Sequence, residues 1–135
     1  MSTPDMKKIF SESKVIAVVG LSPNPSRDSH RVARYLQQQG YRIIPVNPSV
    51  TEVLGEKCYP DLKSIQEKVD VVDVFRRSEE VVPIAEDAVA IKAKVLWLQD
   101  TVVNDEAAAI ARKGGLTVVM DDCMLRQHGR VMRER

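Results

Sequence analysis

A chain of 135 residues suffices for one compact domain and leaves no room for a second. Hydrophobic residues make up 44% and charged ones 29%, which excludes a disordered polyelectrolyte; with three Tyr, two Phe and one Trp, the core must be aliphatic. The net charge of +1 sets up no global field to recruit nucleic acid or an anionic membrane, and a protein partner or a homo-oligomer stays open.

The first apolar run, Val15-Ile16-Ala17-Val18-Val19, ends at Gly20 and reads as a buried strand. After Asp28, the positions Val32, Ala33 and Leu36 share a helical face that Gly40 closes. Tyr41 to Val46 is a second strand. Ser49 to Val69 is less regular: a short third strand is expected near Lys57-Cys58-Tyr59, then a short helix around Leu62, Ile65 and Gln66. Val71-Val72-Asp73-Val74-Phe75 is the fourth strand. Ser78 is an expected N-cap for a helix carrying Val81, Ala85, Ala88 and Val89, with Pro83 tolerated in its first turn. Lys94 to Leu98 forms the fifth strand. A helix after Asn104 with Ala107, Ala108, Ile110 and Ala111 ends at Gly114-Gly115, and Thr117 to Met120 is the sixth strand. The terminal arginines 126, 130, 133 and 135 read as a solvated, partly disordered tail (126–135) outside an ordered core of about 10–125.

Alternating strands and helices with right-handed crossovers give an α/β, doubly wound parallel sheet of Rossmann-like type, strand order 3-2-1-4-5-6. A ligand then sits at the carboxyl ends of the strands where the order reverses, between the first strand and Val71–Phe75. Topology alone therefore selects Gly20-Leu21-Ser22, Asn47-Pro48, Phe75-Arg76-Arg77, Gln99-Asp100 and Asp121-Asp122-Cys123.

The loop from Gly20 to Ser29 leads from a strand into a helix, so backbone N–H groups face the crevice. Gly20 permits the turn, Ser22 and Ser29 offer hydroxyls, Asn24 lies between them, and Arg27 carries a planar fork of donors suited to phosphate. A dinucleotide fingerprint needs glycines where this chain has Ser22 and Pro25, and an acidic residue where it has Asn47-Pro48. Nor does a Gly-Lys-Ser/Thr follow. Arg76 and Arg77 are placed to meet a polyanionic ligand and Phe75 to border an adenine; the alternative pairs an arginine with Glu79 or Glu80 and leaves Phe75 in the core.

At these residues the sequence resembles the short CoA-binding proteins related to the N-terminal domain of the succinyl-CoA synthetase α subunit. The similarity is collinear from about residue 10 to 125. It runs through Val18–Ser22, Pro25-x-Arg27-x-Ser29, Tyr35-Leu36, Gly40-Tyr41 and Pro45–Pro48, then Glu52–Gly55 and Tyr59-Pro60. It continues through Val71–Arg77, Ala93-Lys94, Trp97-Leu98-Gln99 and Val118–Asp121. The resemblance implies coenzyme A or an acyl-CoA in the crevice. Gly20, Ser22, Arg27 and Ser29 then belong to the phosphate loop, Asn47 and Pro48 line the next strand end, Phe75, Arg76 and Arg77 flank the nucleotide, and Gln99 adds a polar contact. Three positions depart from the family pattern. Thr101 stands where it has glycine after the fifth strand, Asp122 where it has arginine before Cys123, and Lys92 where it has glycine before Ala93-Lys94. Asp100 and Asp122 thus bring negative charge towards the expected site.

No catalytic constellation is visible, and the expected protein is a non-catalytic module. His30 reads as exposed or helix-capping, and His128 falls in the tail; no His-Cys-carboxylate spacing suggests a metal. Cys58 and Cys123 make no disulfide framework, no apolar run reaches a membrane span and no signal-peptide pattern is present, so the chain reads as cytoplasmic. Two other readings stay open: a nucleotide- or NAD(P)-binding protein, and a degenerate Rossmann scaffold acting through protein partners. Whether Arg27, Arg76 and Arg77 converge on one crevice separates the first reading from the last.

Overall fold

Valine and isoleucine mark the centre of the molecule: in the computed structural model, which describes residues 4–134, the long apolar runs pair into one parallel sheet. In chain order the elements are α1 (Met6–Glu12), β1 (Val15–Val19), α2 (Asp28–Gln38), β2 (Arg42–Val46), β3 (Glu52–Val53) and β4 (Glu56–Lys57). There follow β5 (Val71–Val74), α3 (Val81–Ala90), β6 (Val95–Leu98), α4 (Asp105–Lys113), β7 (Thr117–Val119) and α5 (Met124–Arg133), with 3-10 turns at Leu62–Ser64 and Ser78–Glu80. The sheet order is β2-β1-β5-β6-β7, all parallel.

The sheet is doubly wound. Val19, Val72, Val74, Leu96 and Leu98 pack against α3 and α4 on one face, whereas Ile16, Val18, Val71 and Trp97 pack against α1, α2 and α5 on the other. The expected third strand is reduced to a single parallel bridge from Tyr59 to Val46 on the outer edge of β2. Lys57 instead closes the β3–β4 hairpin, whose turn residues Leu54 and Gly55 both have positive φ. Glycine at the turn and a following Pro60 leave too few residues for a longer edge strand.

Three local expectations change. Residues 124–133 form α5 rather than a solvated tail, because Met124, His128 and Val131 repeat at helical spacing and bury one face; Arg135 lies outside the described residues. His30 is buried on α2, not exposed. Ser78 does not cap α3: its hydroxyl accepts from Val103 N–H at 3.0 Å and so holds the loop after β6. Asn104 does cap α4, accepting from Ala107 N–H at 2.9 Å. Among the described residues no helix is long and apolar enough to cross a membrane.

Candidate ligand-binding crevice

The ends of β1 and β5 approach so closely that the site begins with a steric demand. Gly20 has φ +86°, its N–H donates to the Val46 carbonyl at 2.8 Å, and a Cβ there would run into the carbonyl oxygen of Phe75. Phe75 N–H in turn donates to the Val19 carbonyl at 2.9 Å. Gly20 therefore serves the junction of the two strand ends, and the crevice opens beside that junction.

The candidate site residues divide into two groups. Ser22, Asn24, Ser29 and Asn47 spend their polar atoms on the loop itself. Ser29 Oγ accepts from Ser22 N–H at 3.0 Å, Ser22 Oγ accepts from Asn24 N–H at 3.0 Å, and Asn24 Oδ1 accepts from Ser26 N–H at 3.0 Å. Asn47 Nδ2 donates to the Leu21 carbonyl at 3.1 Å, which ties the end of β2 to the same loop. Short polar side chains in turns commonly bond backbone this way. These four fix the loop's course and leave the walls to others.

Arg27, Phe75, Arg76, Arg77 and Gln99 all line a cavity of about 570 Å³ at the switch point. Gly20 and Pro48 line a neighbouring cavity of about 230 Å³, and Arg76 borders both. The three arginines thus converge, as the CoA-binding reading requires. Arg76 is steadied by Glu80 at 2.7 Å and Arg77 by the same carboxylate at 3.3 Å, so the local ion pairs form as well. Glu80 is half-buried while both arginines are exposed, so these pairs are weak enough for an anion to compete with them. Arg27 makes no ion pair among the described residues, and its guanidinium remains available at the head of α2. Phe75 packs against the core, as the alternative had it, and also lines the crevice.

Some positions around the crevice were not singled out by sequence. Arg31, one turn into α2, adds a fourth cation to the wall. Arg126 of α5 forks onto Asp100 at 3.0 and 2.9 Å and reaches Asp122 at 2.8 Å. Its hydrogen bonds hold the Asp100 carboxyl below the usual carboxylate range. Asp100 at the crevice wall and Asp122 beyond it therefore meet a local counter-charge; the Asp122–Arg126 spacing of four residues was the available signal. The two departures from glycine have a backbone consequence: Thr101 sits at φ 71° and Lys92 at φ 60°. Asp73, inside β5, is wholly buried and accepts a hydrogen bond from Gln99 Nε2. Burial pushes its carboxyl up to about 7, against the lowering effect of the Gln99 bond.

Both cysteines are free and buried. Burial pushes the Cys58 thiol up, although the hydrogen bond to the Asn47 carbonyl works the other way. Cys123 precedes α5 and lines the larger cavity.

A doubly wound parallel sheet with an arginine-lined crevice at its strand-order switch defines a Rossmann-like protein. The family model described as "CoA binding domain" matches residues 14–129, and the chain belongs to that family. It is 46% identical over 127 residues to the uncharacterized protein YneT of Bacillus subtilis (strain 168), covering 94% of each. The ADP-forming acetate–CoA ligase I of Archaeoglobus fulgidus is 28% identical over 130 residues, which span 88% of this chain but 19% of the ligase. Among solved structures, a hypothetical protein from Pyrococcus horikoshii OT3 superposes with a TM-score of 0.92 at 42% identity, covering 94% of this chain and 89% of that one.

Proposed function

We propose that this protein binds coenzyme A or an acyl-CoA in the crevice at the carboxyl ends of β1, β5 and β6, and that it supplies no catalytic group of its own. The observation that carries the reading is the convergence of Arg27, Arg76 and Arg77 on one cavity beside Gln99. A CoA molecule brings three phosphate groups, and guanidinium forks match their oxygens in charge and geometry. The loop after β1 argues against NAD, since Ser22 and Pro25 replace the glycines that let a backbone approach a pyrophosphate. Membership of the CoA-binding family and similarity to part of a CoA ligase point the same way. Two free, buried thiols suit a reducing compartment, the cytoplasm.

Calorimetric titration with CoA, acetyl-CoA, NAD and ATP tests it. Saturable CoA binding with NAD silent is the expected result. Protein free of carried-over ligand that gives no CoA heat at moderate salt sinks the reading, and the fold then serves as a scaffold for protein contacts.

A further inference from the structure

Asp73 holds an awkward place: a carboxyl in the middle of β5, between Val18 of β1 and Trp97 of β6, with no solvent access. A buried carboxylate ordinarily gathers several donors. Asp73 has one, Gln99 Nε2, and its Oδ2 has no hydrogen-bond partner. Gln99 in turn lines the larger cavity. A carboxyl, an amide and the crevice therefore stand in series.

The chemistry of that series is asymmetric. An ionised carboxylate only accepts, so it obliges Gln99 to turn its NH2 inward and leaves the amide carbonyl as the atom facing the crevice. A protonated carboxyl can donate to that carbonyl instead, which frees the amide to turn round. We infer that Asp73 is a positioning residue for the CoA crevice: ionised, it makes Gln99 present an acceptor to a hydrogen-bond donor of the ligand, and protonated, it lets Gln99 present a donor. This rests on the CoA reading and adds a proton-linked readout to the same site.

Other charges around the crevice do not fix the state of Asp73. From α2 the groups on that wall are Arg27, Asp28 and Arg31, with His30 buried on the same helix. From the turn after β5 they are Arg76, Arg77 and Glu79. From the end of β6 and the start of α5 they are Asp100 and the Cys123 thiol. None of them forms a hydrogen bond or ion pair with Asp73 among the described residues. Burial lifts its carboxyl to about 7, so both protonation states are accessible near neutrality.

A ligand that donates to Gln99 prefers ionised Asp73, so binding releases a proton and tightens as pH rises. The test is CoA affinity of the unaltered protein, Asp73→Asn and Gln99→Leu at pH 6, 7 and 8. The ionisation of the ligand's own phosphate is common to all three and cancels in the comparison. The unaltered protein is expected to gain about threefold or more in affinity from pH 6 to 8 beyond either variant, within the limit of about tenfold per pH unit for one proton. In the ligand-free protein, the side-chain amide resonances of Gln99 should shift with the midpoint of the Asp73 carboxyl carbon. CoA binding with parallel pH profiles in all three proteins overturns the inference and leaves the CoA reading standing. So does an excess slope of opposite sign, or a Gln99 amide that stays still while Asp73 titrates. Failure of CoA to bind at every pH overturns the CoA reading itself, and the ligand role of Asp73 with it.

Discussion

Thr101 donates its N–H to Asp121 Oδ1 at 2.7 Å, and both residues lie in the left-handed region, at φ 71° and 57°. The bond joins the loops after β6 and β7, so the lip of the crevice is held by two residues that both avoid ordinary backbone conformations. For an L residue with a branched Cβ, that conformation is strained by about 1–3 kcal/mol. Glycine removes the strain and keeps the N–H, at the expense of a more flexible unfolded chain. Thr101→Gly should therefore raise the free energy of unfolding by about 1 kcal/mol in chemical denaturation. A loss of stability would mean that the threonine side chain makes a compensating contact.

The lip also explains how the crevice tolerates its acidic neighbours. Arg126 spans Asp100, which lines the crevice, and Asp122 beyond it. Arg126→Gln should leave two unbalanced carboxylates there and weaken CoA binding by about three- to tenfold at low salt, the effect fading as ionic strength rises. Adding Asp100→Asn should restore most of the loss. Affinity unchanged in the single variant would show that these charges lie too far from the bound phosphates to matter.

Much of this architecture is legible in the sequence, and the exceptions have physical causes. The strands announce themselves because buried parallel strands need uninterrupted Val and Ile runs, and the helix after Asp28 shows a clean apolar face. The last helix escapes notice because Arg126, Arg130 and Arg133 dominate its composition while its buried stripe is only Met124, His128 and Val131. Topology names the strand ends correctly, but not which side chains there are already engaged. Ser22 and Asn24 satisfy their own turn, and Asp73 hides as a single polar residue inside an apolar run.

Arg27 offers the simplest probe of the crevice. It is exposed and unpaired among the described residues, so Arg27→Ala should leave the melting temperature essentially unchanged. If it makes a charge-assisted bond to a phosphate, CoA affinity should fall by about 1–3 kcal/mol in calorimetry. Unaltered affinity would remove Arg27 from the site and shift the burden to Arg31, Arg76 and Arg77.

Asp73 predicts a stability profile independent of any ligand. Its folded-state pKa of about 7 lies above the ordinary value near 3.9, so the folded chain holds a proton that the unfolded chain has released between those limits. The contribution is fully present below pH ~4 and is lost as pH rises through ~7, at most about 4 kcal/mol. Asp73→Asn removes the titration, so its gain over the unaltered protein should be larger at pH 8 than at pH 5. Urea denaturation at the two pH values reads the difference directly. A variant equally displaced at both would show that Asp73 does not titrate in that window.

Gly20 carries the last prediction, because two separate effects meet there and a control can part them. Its φ of +86° strains any side chain, and a Cβ would also strike the Phe75 carbonyl. Gly40 has φ +100° with open space around it, so Gly40→Ala reports the backbone strain alone, about 1 kcal/mol. Gly20→Ala must in addition push apart β1 and β5, whose junction bounds the crevice, and should lose about 3 kcal/mol or more. Its residual CoA affinity should drop as well, since Phe75 and Arg76 move with the end of β5. Equal destabilisation in the two variants would show that the strand ends can part without strain, and the close approach at Gly20 would then not be what shapes the site.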